Sequence, residues 1–182
     1  MSRVLVLYAH AAPQASRVNR RMIEAVTSLP NVTVNELYEL YPDFVIDVAR
    51  EQSLLVAAEL VVMQHPIQWY GMPSLQKEWL DQVLEHGWAY GKNGNMLAGK
   101  RFLLALTTGG GVDTYGAHGE HGYPLAAFLP PYRQTALLCK MRWLEPLVLH
   151  GARQADDATV EAHVETYRRL LEGSATTRPV HP

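Results

Sequence analysis

Three short stretches of the chain place polar, aromatic and flexible residues at spacings that can do chemistry. The first, "HAAPQAS", His10–Ser16, links an apolar run to a segment with helical spacing. Ser16 is of a type that starts helices, and a helix's first turn presents unpaired N–H groups and partial positive charge. Ser16, Val18 and Asn19 lie on that first turn, where a phosphate can be held without the glycines of a dinucleotide loop. The second, "HPIQWYGMP", His65–Pro73, is stiffened by its prolines and displays Gln68, Trp69 and Tyr70, flat aromatic residues beside backbone donors and acceptors that suit a planar heteroaromatic ring. The third, "TTGGGVDTYGAHGEHGYP", Thr107–Pro124, lets backbone approach a ligand at Gly109, Gly110 and Gly111. Beyond them Tyr115, His118 and His121 carry a hydroxyl and imidazoles able to pass protons or offset developing charge. Each residue also has an ordinary structural role. Ser16 can simply cap a helix, Trp69 and Tyr70 can cover a core, and glycines can mean only a flexible loop.

The elements around these stretches decide whether they meet. Runs rich in Val, Leu and Ile recur at Val4–Ala9, Val32–Leu37, Leu60–Gln64, Phe102–Thr107 and Leu147–His150, each short enough to be a strand buried on both faces. Helical spacing fills the intervals: Ser16–Ser28, Val48–Ala57, Ser74–Leu84, Pro124 to about Met141, and Asp156–Leu171. Pro130 and Pro131 keep the fourth of these from being one regular helix. Strict alternation predicts an α/β fold, a doubly wound five-stranded parallel sheet in a three-layer α/β/α sandwich. Such a sheet binds ligands beyond the carboxyl ends of its strands, where the strand order reverses, so the loops after the first, third and fourth strands converge on one edge. One domain is expected over residues 1–172, with a loose tail at 173–182.

The chain has 182 residues, 48% of them hydrophobic, and a formal net charge of −2. Its basic residues are scattered, which argues against nucleic-acid binding. The single cysteine, Cys139, admits no internal disulfide and reads as a small core residue; no apolar run is long enough to span a bilayer. A cytoplasmic location follows, with any membrane connection made through a protein partner. Nothing matches a G-x-G-x-x-G loop, a P-loop, a nucleophile elbow or a metal-ligand spacing, and no metal is expected.

Taken in order, "LYAH" with Ser16 and Asn19, "ELYPDFVID", "QHPIQWYGMPSLQKEWLDQVLEHGWAYG", "LAGK", "TTGGG" and "WLEP" resemble the flavodoxin-like NAD(P)H:quinone oxidoreductases, and most closely the ancillary subunits of glutathione-gated potassium efflux systems. The resemblance runs nearly the whole chain, and "LYPDFVID" is a particular mark of the ancillary subunits. It implies a flavin, FMN first and FAD as the alternative, with His10, Ser16, Arg17, Val18 and Asn19 at the phosphate end. Pro66, Ile67, Gln68, Trp69 and Tyr70 with Thr107, Thr108, Gly109 and Gly110 enclose the ring. It further implies NAD(P)H as co-substrate, a quinone as acceptor by a ping-pong mechanism, a proton relay of Tyr115 and His121, a homodimer, and docking on a potassium efflux antiporter at the inner face of the membrane. A flavin-binding regulatory subunit without physiological catalysis is the alternative. Where the family usually has His-Pro after the first strand, this chain has His10-Ala11.

Overall fold

A computed structural model describes residues 2–173. Its sheet is parallel throughout: β1 (Val4–Tyr8), β2 (Val32–Glu36), β3 (Leu60–Pro66), β4 (Arg101–Thr107), β5 (Arg142–Trp143) and β6 (Leu147–Leu149). The order is β2-β1-β3-β4-β5, with β6 also on β4. Here β5 and β6 occupy one strand position, the fifth, interrupted by Leu144–Pro146. Arg101 and Phe102 face Arg142 and Trp143, whereas Ala105 faces Leu147, so two residues of β4 oppose three. Pro146 has no N–H to give the ladder, and the extra residue bulges there. The predicted fifth strand is thus present, starts earlier than its apolar run, and is broken in the middle.

Side-chain alternation sorts the strands between two cores. Val4, Val6 and Tyr8 pack with Val18, Met22 and Val26 of α1 (Arg17–Thr27) and Val160, Val164 and Tyr167 of α6 (Asp157–Glu172). Leu5, Leu7, Val61 and Met63 face the other way. They meet Leu55 of α3 (Val48–Ala57), Leu75 and Trp79 of α4 (Ser74–Val83), and Tyr132 and Ala136 of α5 (Pro130–Leu138). The result is the expected three-layer sandwich. Pro124–Met141 divides as its prolines dictate, into a 3-10 turn at Leu125–Phe128 and α5, which starts with Pro130 and Pro131 at its first positions. Cys139 is buried, and burial pushes its thiol up. Of the expected tail only Gly173, which closes α6, belongs to the described residues; 174–182 lie outside them.

The segment "ELYPDFVID" is held from below by a carboxylate. Glu51 of α3 is fully buried and accepts from Asn35 Nδ2 at 2.6 Å, Tyr41 Oη at 2.5 Å and Trp79 Nε1 at 2.8 Å, while Arg50 pairs with it from the rim. A buried charge survives only with such a set of donors. Leu37 begins a one-turn helix, α2 (Leu37–Leu40), Ile46 is buried, and Asp47 caps α3 by accepting from the Arg50 N–H at 3.0 Å. Leu40, Phe44 and Val45 remain exposed on this anchored loop.

Candidate functional site

The carboxyl ends of β1, β3 and β4 lie side by side, with Tyr8 opposite Gln64 and Pro66 opposite Thr107, so the three loops named from sequence open onto one crevice. Its floor is polar and buried. Asn19 Nδ2 donates to Thr107 Oγ1 at 2.8 Å, and Gln64 Nε2 donates to the Asn19 carbonyl at 3.0 Å. These bonds tie the first turn of α1 to both central strands. Asn19 Oδ1 and Gln64 Oε1 are buried without a partner, acceptors of a kind that native chains seldom leave idle.

At the entrance to α1, a 3-10 turn (Pro13–Ala15) delivers Ser16 to the N-cap position in extended geometry. Ser16 is buried, yet its hydroxyl does not cap the helix, and the first turn carries no acidic residue. The helix start therefore keeps its donors and its partial positive charge uncompensated. Tyr8 lies against Ser16; burial raises its phenol to about 12, and no hydrogen-bond partner reaches the hydroxyl. Val18 is buried in the α1 core, so what it offers the crevice is its N–H. Arg17 is turned away: its guanidinium donates to the Ala155 carbonyl and sits 3.7 Å from Asp157 at the start of α6, so only its backbone belongs to this edge. His10 is half-buried, burial lowers its pKa, and its Nδ1 accepts from the Ala12 N–H at 3.1 Å, which leaves the proton on Nε2.

The second loop is a two-residue hairpin that sequence reasoning did not foresee. Gln68 and Gly71 exchange backbone hydrogen bonds, both 3.0 Å, and the residues between them adopt left-handed backbone, Trp69 at φ 47° and Tyr70 at φ 65°. This turn normally recruits Asn and Gly; a tryptophan and a tyrosine hold it only against strain. Its base is clamped by the Ile67 N–H donating to the Thr107 carbonyl at 2.8 Å. Trp69 is 95% exposed and touches no core, while Tyr70 leans on the third loop, its ring 5.0 Å from Phe128 and 5.6 Å from His121. Behind the hairpin, His65 is fully buried, stacks on Tyr132 at 5.6 Å, and is held neutral with its pKa down to about 4 by burial.

The third loop is folded on itself. Thr114 closes a turn on Gly111, and the His121 N–H donates to the Thr114 carbonyl at 3.1 Å, which sets the imidazole beside Tyr115 with ring centroids 4.4 Å apart. A Cβ on Gly110 would fall 2.3 Å from Thr114 Oγ1 and 3.1 Å from His121 Nε2, so any larger residue would push these side chains out of their present places. Gly109 has open space above it and leaves the backbone approachable. Burial holds the Tyr115 phenol above its usual value, and the nearby Thr108 side chain offsets part of this. Thr108 is buried and also contacts Nδ1 of His150 at 3.2 Å. His150 was visible from sequence only as the end of an apolar run; the fifth strand position brings it here. His118 is exposed and apart from this group. Among the described residues no group of His, Cys, Asp or Glu converges to hold a metal ion, and no helix is long and apolar enough to cross a membrane.

Comparison with known proteins agrees with this architecture. A model of the flavodoxin-like fold family matches residues 2–171. The glutathione-regulated potassium-efflux system ancillary protein KefF of Klebsiella aerogenes is 48% identical over 168 residues, 92% of this chain and 94% of that protein. The general stress protein 14 of Treponema denticola, solved in complex with FMN, superposes with a TM-score of 0.86 at 36% identity, over 94% of this chain and 98% of that one. A structure described as a thermophilic tryptophan halogenase from Streptomycin violaceusniger superposes with a TM-score of 0.87 at 37% identity, over 91% and 96% of the two chains. The functions attached to these names differ, so the reaction has to be read from the site itself. The chain belongs to the flavodoxin-like fold family, together with the ancillary proteins of glutathione-regulated potassium-efflux systems.

Proposed function

We propose that the crevice binds FMN and that the chain is an NAD(P)H:quinone oxidoreductase that also serves as the ancillary subunit of a potassium efflux antiporter. The fit to a flavin rests on groups that lack partners within the protein. The uncapped start of α1, with Ser16, suits a phosphate, and Asn19 Oδ1 and Gln64 Oε1 are buried acceptors facing the same floor. The exposed Trp69, Tyr70 and the open backbone at Gly109 flank a slot suited to a flat ring. His10 and the N–H groups of Arg17 and Val18 complete the phosphate end, and Pro66, Ile67, Gln68, Thr107, Thr108 and Gly110 the ring end. FMN is favoured over FAD by the groove of about 610 Å³ that opens past His10 toward β2. Glu24 there is paired with Arg20 at 2.9 Å, whereas burial and then the neighbouring Glu39 hold the Glu36 carboxyl above its usual range, an unfavourable setting for a second phosphate.

The chemistry such a flavin supplies when bound is two-electron transfer from a reduced nicotinamide to a quinone, the two substrates using one crevice in turn. The protein contributes a proton and its placement. Tyr115, kept protonated by burial, would offer its hydroxyl to negative charge developing on the ligand, and His121 stands against its ring. Tyr70 and Phe128 wall that corner from water. The single observation that carries the reading is this approach of Tyr115 and His121 on the third loop. Leu137 and Leu138, each 50% exposed on α5, fit a homodimer whose second chain covers them. The ancillary proteins' name supports the efflux role, and with that role goes a cytoplasmic position against the membrane, held through the partner.

The test is turnover of FMN-loaded protein with NADH or NADPH and a soluble quinone. His121→Gln is expected to slow it by about 100-fold, the low end of acid-base effects, with FMN still bound. Unchanged turnover in that variant refutes the relay, and an FMN-loaded chain with no turnover at all favours a purely regulatory subunit.

A further inference from the structure

The groove past His10 is a second concavity, and the proposed function gives it no occupant. Parallel neighbours in register share a face, so Tyr8 and Glu36, paired at the carboxyl ends of β1 and β2, turn to the same side of the sheet. Tyr8, 3% exposed, and Ile23, 6% exposed, are its floor, with Tyr38 and Glu39 on one wall and Pro13 on the other. Three carboxylates line this space against one cation. Arg20 is engaged by Glu24 at 2.9 Å and by Gln14 at 3.3 Å, while the carboxylates of Glu36 and Glu39 have no ion-pair or hydrogen-bond partner among the described residues. On the floor, the Tyr8 hydroxyl is buried with no partner either. A phenol so placed is normally hydrogen-bonded. The carboxylates do not converge on a point, since among the described residues no group of His, Cys, Asp or Glu is placed to hold a metal ion. The counter-charge that fits is therefore spread along a molecule with its own N–H donors and an apolar body to lie against Ile23, Tyr38 and Pro13. At about 610 Å³ the groove has the volume of a small-molecule site.

We propose that this groove is a binding site for a small organic cation, an alkyl amine or guanidine, whose charged N–H groups pair with Glu36 and Glu39 and donate to the Tyr8 hydroxyl oxygen. The carboxylates that deter a phosphate here attract such a group. A cation beside Glu36 also relieves what burial and Glu39 impose on that carboxyl. The site adjoins the phosphate end at His10 but draws on none of Asn19, Gln64, Thr107 or Trp69, so it does not depend on the flavin reading.

Agmatine, a short alkyl chain with an ammonium at one end and a guanidinium at the other, is the probe, and 1,4-butanediol is its uncharged control. Calorimetric titration of the purified chain reads the affinity, and ¹H–¹⁵N NMR reads the place. Agmatine is expected to bind once per chain, shifting the amides of Glu36, Tyr38, Glu39 and Gln14, and the diol not at all. Glu36→Gln and Glu39→Gln keep side-chain size and remove one charge-assisted contact each, so each should weaken agmatine about tenfold. Tyr8→Phe, which removes only the hydroxyl, should weaken it about threefold. The NMR spectrum of each variant shows whether it has kept the parent fold. No uptake at millimolar agmatine overturns the proposal, as do equal uptake of the diol, shifts as large at Glu161 and Glu165 on the far helix, or parent-like affinity in any of the three folded variants. A chain that takes up agmatine in the groove but no FMN refutes the flavin reading and upholds this site; one that takes up FMN but no agmatine does the reverse.

Discussion

Replacing Trp69 by glycine separates the two tasks a protein residue can have, because this side chain does nothing for the free fold. Trp69 is 95% exposed, so no burial is lost. Its backbone sits at φ 47°, where a residue with a Cβ costs roughly 1–2 kcal/mol. Glycine removes that cost and adds about 0.5–1 kcal/mol of chain entropy to the unfolded state. The two nearly cancel, and the melting temperature of Trp69→Gly should stay within about 4 °C of the parent. Flavin affinity should not. A face-to-face aromatic contact with a heteroaromatic ring is worth about 1–3 kcal/mol, so FMN should bind roughly 5- to 150-fold more weakly. Quenching of FMN fluorescence on titration reads the affinity, and a thermal melt of the same sample without FMN reads the fold. FMN affinity within about twofold of the parent would remove Trp69 from the proposed site. A melting temperature lowered by 10 °C or more would contradict the description of a strained, unsupported hairpin tip.

Other consequences follow from buried polar groups. Glu51→Ala strands the Asn35, Tyr41 and Trp79 donors in the core; it should cost about 3–5 kcal/mol and lower the melting temperature by roughly 6–20 °C. A variant that melts with the parent would show that the carboxylate is not what holds the "ELYPDFVID" segment. For pH, His65 has a folded pKa of about 4 against an ordinary 6.5. Between those values the unfolded histidine takes up a proton that the folded one refuses, so its contribution is complete above pH 6.5 and stability falls as pH drops toward 4, by about 3 kcal/mol across the window. The buried His163 shifts in the same direction and adds to the slope. Urea unfolding at pH 7.5 and pH 5 checks the sign, and a chain equally stable at both would contradict it.

The sheet and its layers were legible because strands buried on both faces have to be apolar without interruption, and Val4–Tyr8, Leu60–Pro66 and Arg101–Thr107 nearly are. The crevice was legible one step further on, since parallel order and strand reversal bring the same three loops together in any such sheet. What stayed hidden depended on side chains meeting from distant elements. Glu51 draws its donors from β2, the following loop and α4, and no local pattern marks it. The hairpin at Trp69 and Tyr70 breaks the usual turn chemistry, so residue types alone pointed to a stiff loop and not to this geometry. Arg17 sits at the right position on its helix but is claimed by α6. His150 looked like the end of a strand, because its contact with Thr108 depends on the bulge at Pro146 that sets the register of β6.

The central claim is that the crevice above Asn19 and Gln64 is built for a phosphorylated flavin, and direct titration of the purified chain with FMN tests it most simply. The account predicts uptake of one FMN per chain, with quenched flavin fluorescence, a visible absorbance band that co-elutes with protein, and weaker uptake in Trp69→Gly. A folded chain that stays colourless and leaves FMN fluorescence unchanged at excess ligand would contradict it.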